Sequence, residues 1–150
     1  MANTIRETII AAYMTRLASW TTGNGFNYSC GTYASRAVQE VESLPACVLW
    51  PKAEEVEQVY GRNVCKMQVR LEAIATVSST NPSVVQEKLL GDAIKIMTDP
   101  SVTVTATIDS IFYTGGGPAG LQKGEELNTV IYADFEIKYE TAIGNPYSQA

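Results

Sequence analysis

The chain contains no histidine. Serine–histidine and cysteine–histidine catalytic pairs, and metal sites built on histidine, are therefore excluded. The three cysteines, Cys30, Cys47 and Cys65, form no CxxC pair, so a zinc site would need an unusual ligand set. We expect reduced thiols in a cytosolic compartment.

Charge is scarce as well. Charged residues make up 18% of the 150 residues, against about a quarter in a typical globular domain. The net charge is −5 and no two basic residues are adjacent, which argues against tight nucleic-acid binding. Low charge fits a surface buried against partner subunits, and it equally fits a monomer kept soluble by uncharged polar residues.

Long apolar runs are also missing. No stretch approaches the ~20 apolar residues of a membrane-spanning helix, and charged residues interrupt the N-terminal segment MANTIRETIIAAYMTRL, which therefore does not resemble a signal peptide. We expect a soluble protein with no membrane association. Its apolar content of 45% is sufficient for one core.

Two helices are predicted. The first covers residues 4–20, with Asn3 as its cap and apolar residues recurring every three to four positions. The second begins with Asn81 as cap and Pro82 in its first turn, and it ends at Asp99-Pro100.

Period-two alternation predicts strands at 64–77 and 127–141, a strand at 101–113 with a bulge near 109–110, and a short buried strand at 46–50. A turn is predicted at 61–63, and the preceding residues could extend a hairpin. The fold class is α+β: a single antiparallel, or mixed, sheet of four to five strands with two helices packed on one face. One domain spans 1–150, with a core at about 4–141 and a frayed tail at 144–150.

The carboxylates do not predict an enzyme. A glycosidase-like pair needs two carboxylates in contrasting environments across a cleft. Asp134, Glu136 and Glu140 instead line one polar strand face together with Lys138, and Glu54, Glu55 and Glu57 lie in a connecting segment. We expect solvated or subunit-facing carboxylates, with no catalytic residues, cofactor or metal.

Residues 114–126 hold five of the eleven glycines and predict a long loop. The spacing does not match a phosphate-binding P-loop, and a strand rather than a helix follows. Two interpretations stay open, a mobile hairpin loop and a loop ordered by contact with a neighbour. For the loop at 21–35, the aromatic residues Phe26, Tyr28 and Tyr33 indicate either an exposed recognition patch or, as favoured, a loop anchored to the core.

Several short phrases accompany this order of elements: Arg16-Leu17, Leu44-Pro45-Ala46-Cys47-Val48, Asn81-Pro82-Ser83, Asp99-Pro100 and Tyr139-Glu140-Thr141. Together they resemble the tail terminator (tail completion) proteins of long-tailed bacteriophages over about residues 4–141. The resemblance implies a ring, usually a hexamer, that caps the head-proximal end of the tail tube and stops its growth. The implied partners are further copies of the chain, the tail tube protein and a head-completion or neck protein.

The resemblance also implies a place in the virion tail or neck, after assembly in the host cytoplasm, with DNA only passing through the ring. Asp134 and Glu136 become candidates for an acidic channel wall, because like charges repel. The candidate contact residues for subunits or partners are Phe26, Tyr28, Tyr33, Gly115, Gly116, Gly117, Leu121 and Lys123. The alternatives are a head-to-tail joining protein or a tail tube protein of the same particle, and then a small-molecule-binding α+β domain.

Overall fold

A computed structural model describes residues 2–34, 45–77, 81–99, 108–123 and 127–149. Within these ranges two helices and five strands follow one another: α1 (Ile5–Leu17), β1 (Gly31–Ala34), β2 (Ala46–Val59), β3 (Arg62–Val77), α2 (Pro82–Thr98), β4 (Ser110–Lys123) and β5 (Leu127–Ala142). A single 3₁₀ turn, Thr22–Asn24, lies between α1 and β1.

The strands form one sheet in the order β1-β2-β3-β5-β4. Neighbouring strands from β2 to β4 are antiparallel, and the short β1 pairs parallel with β2. At the centre, β3 and β5 pair without a break from Arg62 opposite Ala142 to Val77 opposite Leu127. The predicted α+β class, with an antiparallel sheet and two helices, is confirmed.

The core follows from the alternation of the two central strands. Every odd-numbered residue from Cys65 to Val77 is buried, as is every odd-numbered residue from Ile131 to Thr141. The apolar members of this set form one cluster with the buried residues of both helices, which are Ile5, Ile9, Tyr13, Leu17, Val85, Leu89, Ala93, Ile96 and Met97. Burying a side chain such as Leu89 contributes about 1.5–3 kcal/mol, so this cluster is the main stabilising term.

Both helix starts are capped, one of them by a different residue from the predicted one. Asn81 accepts a hydrogen bond from the Ser83 amide and Pro82 opens α2, as predicted. In α1 the cap is Thr4 rather than Asn3. Thr4 accepts from the Glu7 amide at 3.0 Å while its own amide donates to the Glu7 carboxylate at 2.7 Å, and this reciprocal pair decides the boundary.

The short strand predicted at 46–50 extends to Val59 and forms a hairpin with β3. The turn is Tyr60–Gly61, one residue earlier than predicted, because Val59 already pairs with Arg62. Both turn residues have positive φ, 41° and 83°, as a two-residue hairpin turn requires. Glycine adopts this conformation without strain, whereas Tyr60 does so at a cost.

The glycine-rich loop predicted at 114–126 is wrong for residues 114–123, which belong to β4. Gly115, Gly116 and Gly117 lie opposite Asp134, Ala133 and Tyr132. Backbone hydrogen bonds to β5, which local propensity does not report, hold this stretch extended. The register shifts fall after Tyr113 and after Pro118, not near 109–110. Residues 101–107 of the predicted strand 101–113, and the end of the predicted loop at 124–126, lie outside the described residues.

The C-terminal residues, predicted to fray, turn back on the domain. The Ala142 amide donates to the Ser148 carbonyl and the Ile5 amide donates to the Pro146 carbonyl, both at 2.9 Å. The second bond also satisfies a free amide at the start of α1. The tail therefore closes one end of the sheet against the first helix.

Gly116 is the position in β4 where a side chain is excluded. A Cβ atom there would lie 2.6 Å from the Tyr132 carbonyl oxygen and 2.8 Å from the Tyr113 hydroxyl. At the neighbouring Gly117 a Cβ would meet nothing within 4 Å. The close approach of β4 to β5 therefore explains why residue 116 is a glycine, and it does not require a glycine at position 117.

Gly116→Ala should lower the free energy of unfolding by about 1–3 kcal/mol, since β4 must move away from the β5 backbone. Gly117→Ala is the matched control and should change it by less than about 1 kcal/mol. Urea unfolding followed by circular dichroism measures both. Equal effects of the two substitutions would contradict the close approach.

Candidate functional site

The even-numbered side chains of β3 and β5 point away from the core, and we call this side of the sheet the second face. Its charges balance, with four basic and four acidic residues: Arg62, Lys66, Arg70, Lys138, Glu72, Asp134, Glu136 and Glu140. The acidic wall expected around Asp134 and Glu136 is therefore part of a surface of mixed sign.

Asp134 lies at the centre of the second face and is held by Arg70. The guanidinium donates through Nε at 2.8 Å and through Nη2 at 3.1 Å, one bond to each carboxylate oxygen. The same guanidinium lies 4.5 Å from the centre of the Tyr132 ring. About a third of each charged side chain is exposed, so the pair contributes at most about 1 kcal/mol. Its main effect is to fix both side chains in one orientation.

Glu136, the second predicted channel residue, accepts a hydrogen bond from the Gln68 amide at 3.0 Å. On the adjacent strand β4, Glu136 pairs with Phe112, which is 58% exposed. An apolar ring thus borders the charged centre of the second face, on the side where the sheet ends.

A cleft of about 310 Å³ opens on the second face, lined by Lys52, Gln68, Val69, Arg70, Thr114 and Asp134. Two of its charged groups, Arg70 and Asp134, already neutralise each other. The lining is polar and offers little apolar surface to a small molecule.

Five of the predicted contact residues lie on one strand. Gly115, Gly116, Gly117, Leu121 and Lys123 all belong to β4, at the end of the sheet. Tyr33 lies in β1, at the opposite end. The structure therefore places these candidates at the two ends of one sheet rather than in two loops.

Phe26 and Tyr28, two of the predicted contact residues, both pack against the core. Phe26 is buried, its ring 6.4 Å from that of Trp20, and the Lys95 ammonium lies 4.8 Å above it. Tyr28 packs, half-buried, against the core. The favoured interpretation, an anchored loop, fits both residues, because an aromatic side chain is stabilised more by burial than by solvent.

The sequence analysis missed the residue that holds this loop, Asp92 of α2. Its carboxylate is buried and accepts four hydrogen bonds. The backbone amides of Asn27 and Tyr28 donate at 3.0 and 2.9 Å, the Asn27 side chain at 3.0 Å and the Trp20 indole at 3.3 Å. Four donors offset much of the cost of burying the charge. The available signal was an acidic residue inside the apolar stripe of the helix, directly before Ala93.

A second cleft, of about 270 Å³, lies where α1, the β2–β3 hairpin and the C-terminal turn meet. There the Tyr139 hydroxyl donates to Glu54 at 2.5 Å, and Arg6 forms an ion pair with the same carboxylate at 3.3 Å. Burial and the neighbouring Glu54 raise the pKa of Tyr139 far above its ordinary value of 10. Arg6 also donates to the Lys52 carbonyl, so the cluster joins the helix to β2.

Cys65 lines the second cleft, and burial raises the pKa of its thiol, which disfavours the nucleophilic thiolate. Within the ranges that the structure describes, no three Cys, Asp or Glu side chains are grouped so that they could hold a metal ion. The two helices in those ranges are too short or too polar to cross a membrane.

No protein-family model matches this chain, and no curated protein sequence matches it either.

Asp92→Asn should lower the free energy of unfolding by about 2–4 kcal/mol, because the amide nitrogen would replace one carboxylate oxygen and face the two donors that this oxygen accepts from. Glu87→Gln, an exposed change on the same helix, is the matched control and should stay within about 0.5 kcal/mol. Urea denaturation measures both. An Asp92→Asn protein as stable as the control would show that the loop does not depend on this carboxylate.

Stability should fall as the pH rises above about 9. Burial raises the pKa of Tyr13 to about 12. Burial also raises the pKa values of Cys30 and Tyr139, and their shifts from the ordinary values are larger than that of Tyr13. These groups lose their protons first in the unfolded chain, so their contribution is complete below the unfolded pKa values and is lost at higher pH. Urea midpoints between pH 7 and 11 measure the loss.

Tyr139→Phe removes one of these titrating groups and should flatten the alkaline decline, at a cost of about 1 kcal/mol at pH 7 for the lost hydrogen bond. Tyr60→Phe, a change at the fully exposed tip of the hairpin, is the matched control. An alkaline decline with the same slope in Tyr139→Phe and in the wild type would refute the assignment to Tyr139.

Proposed function

We propose that this chain is a structural virion protein, a ring-forming tail terminator that caps the head-proximal end of a phage tail tube. In this proposal the ring, a hexamer, stops tube polymerisation and offers a surface for head–tail joining. It acts without a cofactor and without enzymatic chemistry.

The observation that carries the proposal is the division of the sheet into two different faces. The odd-numbered side chains of β3 and β5 form one face, which lies in the core, and we infer that both helices cover this face. The second face is polar around Arg70 and Asp134, with Asp134 and Glu136 held by Arg70 and Gln68, whereas Val48 and Val130 are buried further along it. Such a face suits a channel wall, because paired charges of both signs give phosphates little net attraction.

The proposed partners follow from this arrangement. The ends of the sheet meet further copies of the chain, one rim of the ring meets the tail tube protein, and the other rim meets a head-completion or neck protein. DNA passes along the second face without specific contacts. Localisation in the tail or neck of the virion belongs to the same proposal.

Two related roles use the same surfaces. A tail tube subunit must polymerise through both rims of its ring, whereas a terminator has two different rims. A head-to-tail joining protein would bind the neck and leave the tube end free. A small-molecule-binding domain is a weaker alternative, since each cleft contains an ion pair of its own, Arg70 with Asp134 in the first and Arg6 with Glu54 in the second.

The proposal predicts that the purified chain forms one closed ring at one end of tail tubes made from the tube protein of the same virus. Binding of about one ring per tube should then be enough to stop the growth of those tubes. Negative-stain images and tube-length distributions, with and without the chain, measure both effects.

Each other outcome has a distinct meaning. Filaments of the chain alone would indicate a tube subunit. Binding to neck components with tube growth unaffected would indicate a joining protein. A chain that never binds tubes would contradict the terminator role, and a ligand-dependent rise in melting temperature would then favour the binding domain.

A further inference from the structure

The sheet has edges of two kinds. Within the ranges that the structure describes, β4 pairs with β5 on one side only, and β1 pairs with β2 on one side only. Beyond Leu49, none of the described residues pairs with the outer side of β2. Edge strands expose unpaired amides and carbonyls, and natural proteins normally protect them with charge, proline or bulges.

The exposed part of β2 is protected in all three ways. It contains Pro51, four charged side chains and a register shift between Pro51 and Glu54. The charged residues are Lys52, Glu54, Glu55 and Glu57. A second chain that approached this edge would have to bury or displace them.

The other two edges carry no such charge. No charged residue occurs in β1 or between Ser110 and Gln122 of β4. The glycines of β4 leave its backbone accessible, and Gly117 has open space where a side chain would be. Pro118 and two register shifts interrupt β4, so pairing is favoured over short stretches between them.

Strand direction fixes how these two edges could meet. In the sheet β1, β2 and β5 run one way, and β3 and β4 run the other way. If a second copy continues the sheet in the same orientation, its β1 lies antiparallel to β4 of the first copy. That is the arrangement of every strand pair from β2 to β4 within one chain.

We propose that β4 of one copy pairs with β1 of the next and forms the seam between subunits. The inference rests on the proposed ring and deepens it. Each copy has one β4 and one β1, so this head-to-tail contact uses both of these edges. Only a closed ring leaves neither edge free. Pairing of β4 with β4 would instead give a two-fold dimer and leave both β1 edges open.

The seam has a consequence for the channel. A sheet continued from copy to copy keeps all second faces on the same side. Asp134, Glu136 and the bordering Phe112 then recur around one surface of the ring. The proposed channel wall and the proposed seam are thus parts of the same continuous sheet.

Ala119→Lys tests the seam by placing a charge on the exposed edge of β4, as protected edges do. Ala119 is exposed and lies at the register shift after Pro118, so the fold should be unaffected. Ala11→Lys makes the same change at an exposed position of α1 and is the matched control. Circular dichroism and unfolding midpoints check that both variants fold.

The readouts are native mass at increasing protein concentration and hydrogen–deuterium exchange of the full chain. Ala119→Lys should raise the concentration needed for ring formation by at least about tenfold, and Ala11→Lys should not. Assembly of the wild type should slow amide exchange by about tenfold or more both in β1 and in β4.

The results that overturn the seam differ from those that overturn the ring. A ring that forms equally well with Ala119→Lys, or that leaves β1 and β4 exchanging as fast as in the monomer, would refute the seam alone. A dimer protected in β4 but not in β1 would refute the head-to-tail pairing. A chain that stays monomeric at every concentration and on tail tubes would refute the proposed function itself.

Discussion

The structure depends on the uninterrupted pairing of β3 with β5. Sixteen consecutive residue pairs, from Arg62 with Ala142 to Val77 with Leu127, hold both strands in one register. Because side chains alternate, this register decides which half of each strand enters the core and which half forms the second face. A shift of β5 by one residue relative to β3 would turn Asp134 towards the core and Phe135 towards the second face. The hydrophobic core and the proposed channel wall are therefore consequences of the same pairing.

The same pairing leaves one side of the sheet outside the core. The buried residues of both helices belong to the core, and Asp92, the one buried carboxylate among the described residues, holds the loop after α1. In the part of the chain that the structure describes, a sheet face with a polar centre and the sheet edges are left for interaction. Proteins that assemble through sheets use these features, and an enzyme pocket would need convergent polar groups in an apolar cavity.

The sequence predicted those parts of the fold that depend on local pattern. Alternation identified β3 and β5, and the Asn81-Pro82 start identified α2. It identified only the first residues of β4, 110–113, because glycine and proline favour loops locally and only pairing with β5 keeps Gly115 to Pro118 extended. The cap at Thr4 and the role of Asp92 also depend on partners that pattern alone does not reveal. Of the candidate site, the sequence placed Asp134 and Glu136 on a polar strand face. It did not show that Tyr33 and the β4 glycines lie at opposite ends of one sheet.

The measurement that tests the central claim most directly is electron cryomicroscopy of tail tubes capped by this chain. The account predicts a single ring whose inner surface is the second face, with Asp134 and Glu136 towards the channel and both helices outside. A ring with α1 or α2 lining the channel, or one whose second face is buried against the tube, would contradict it.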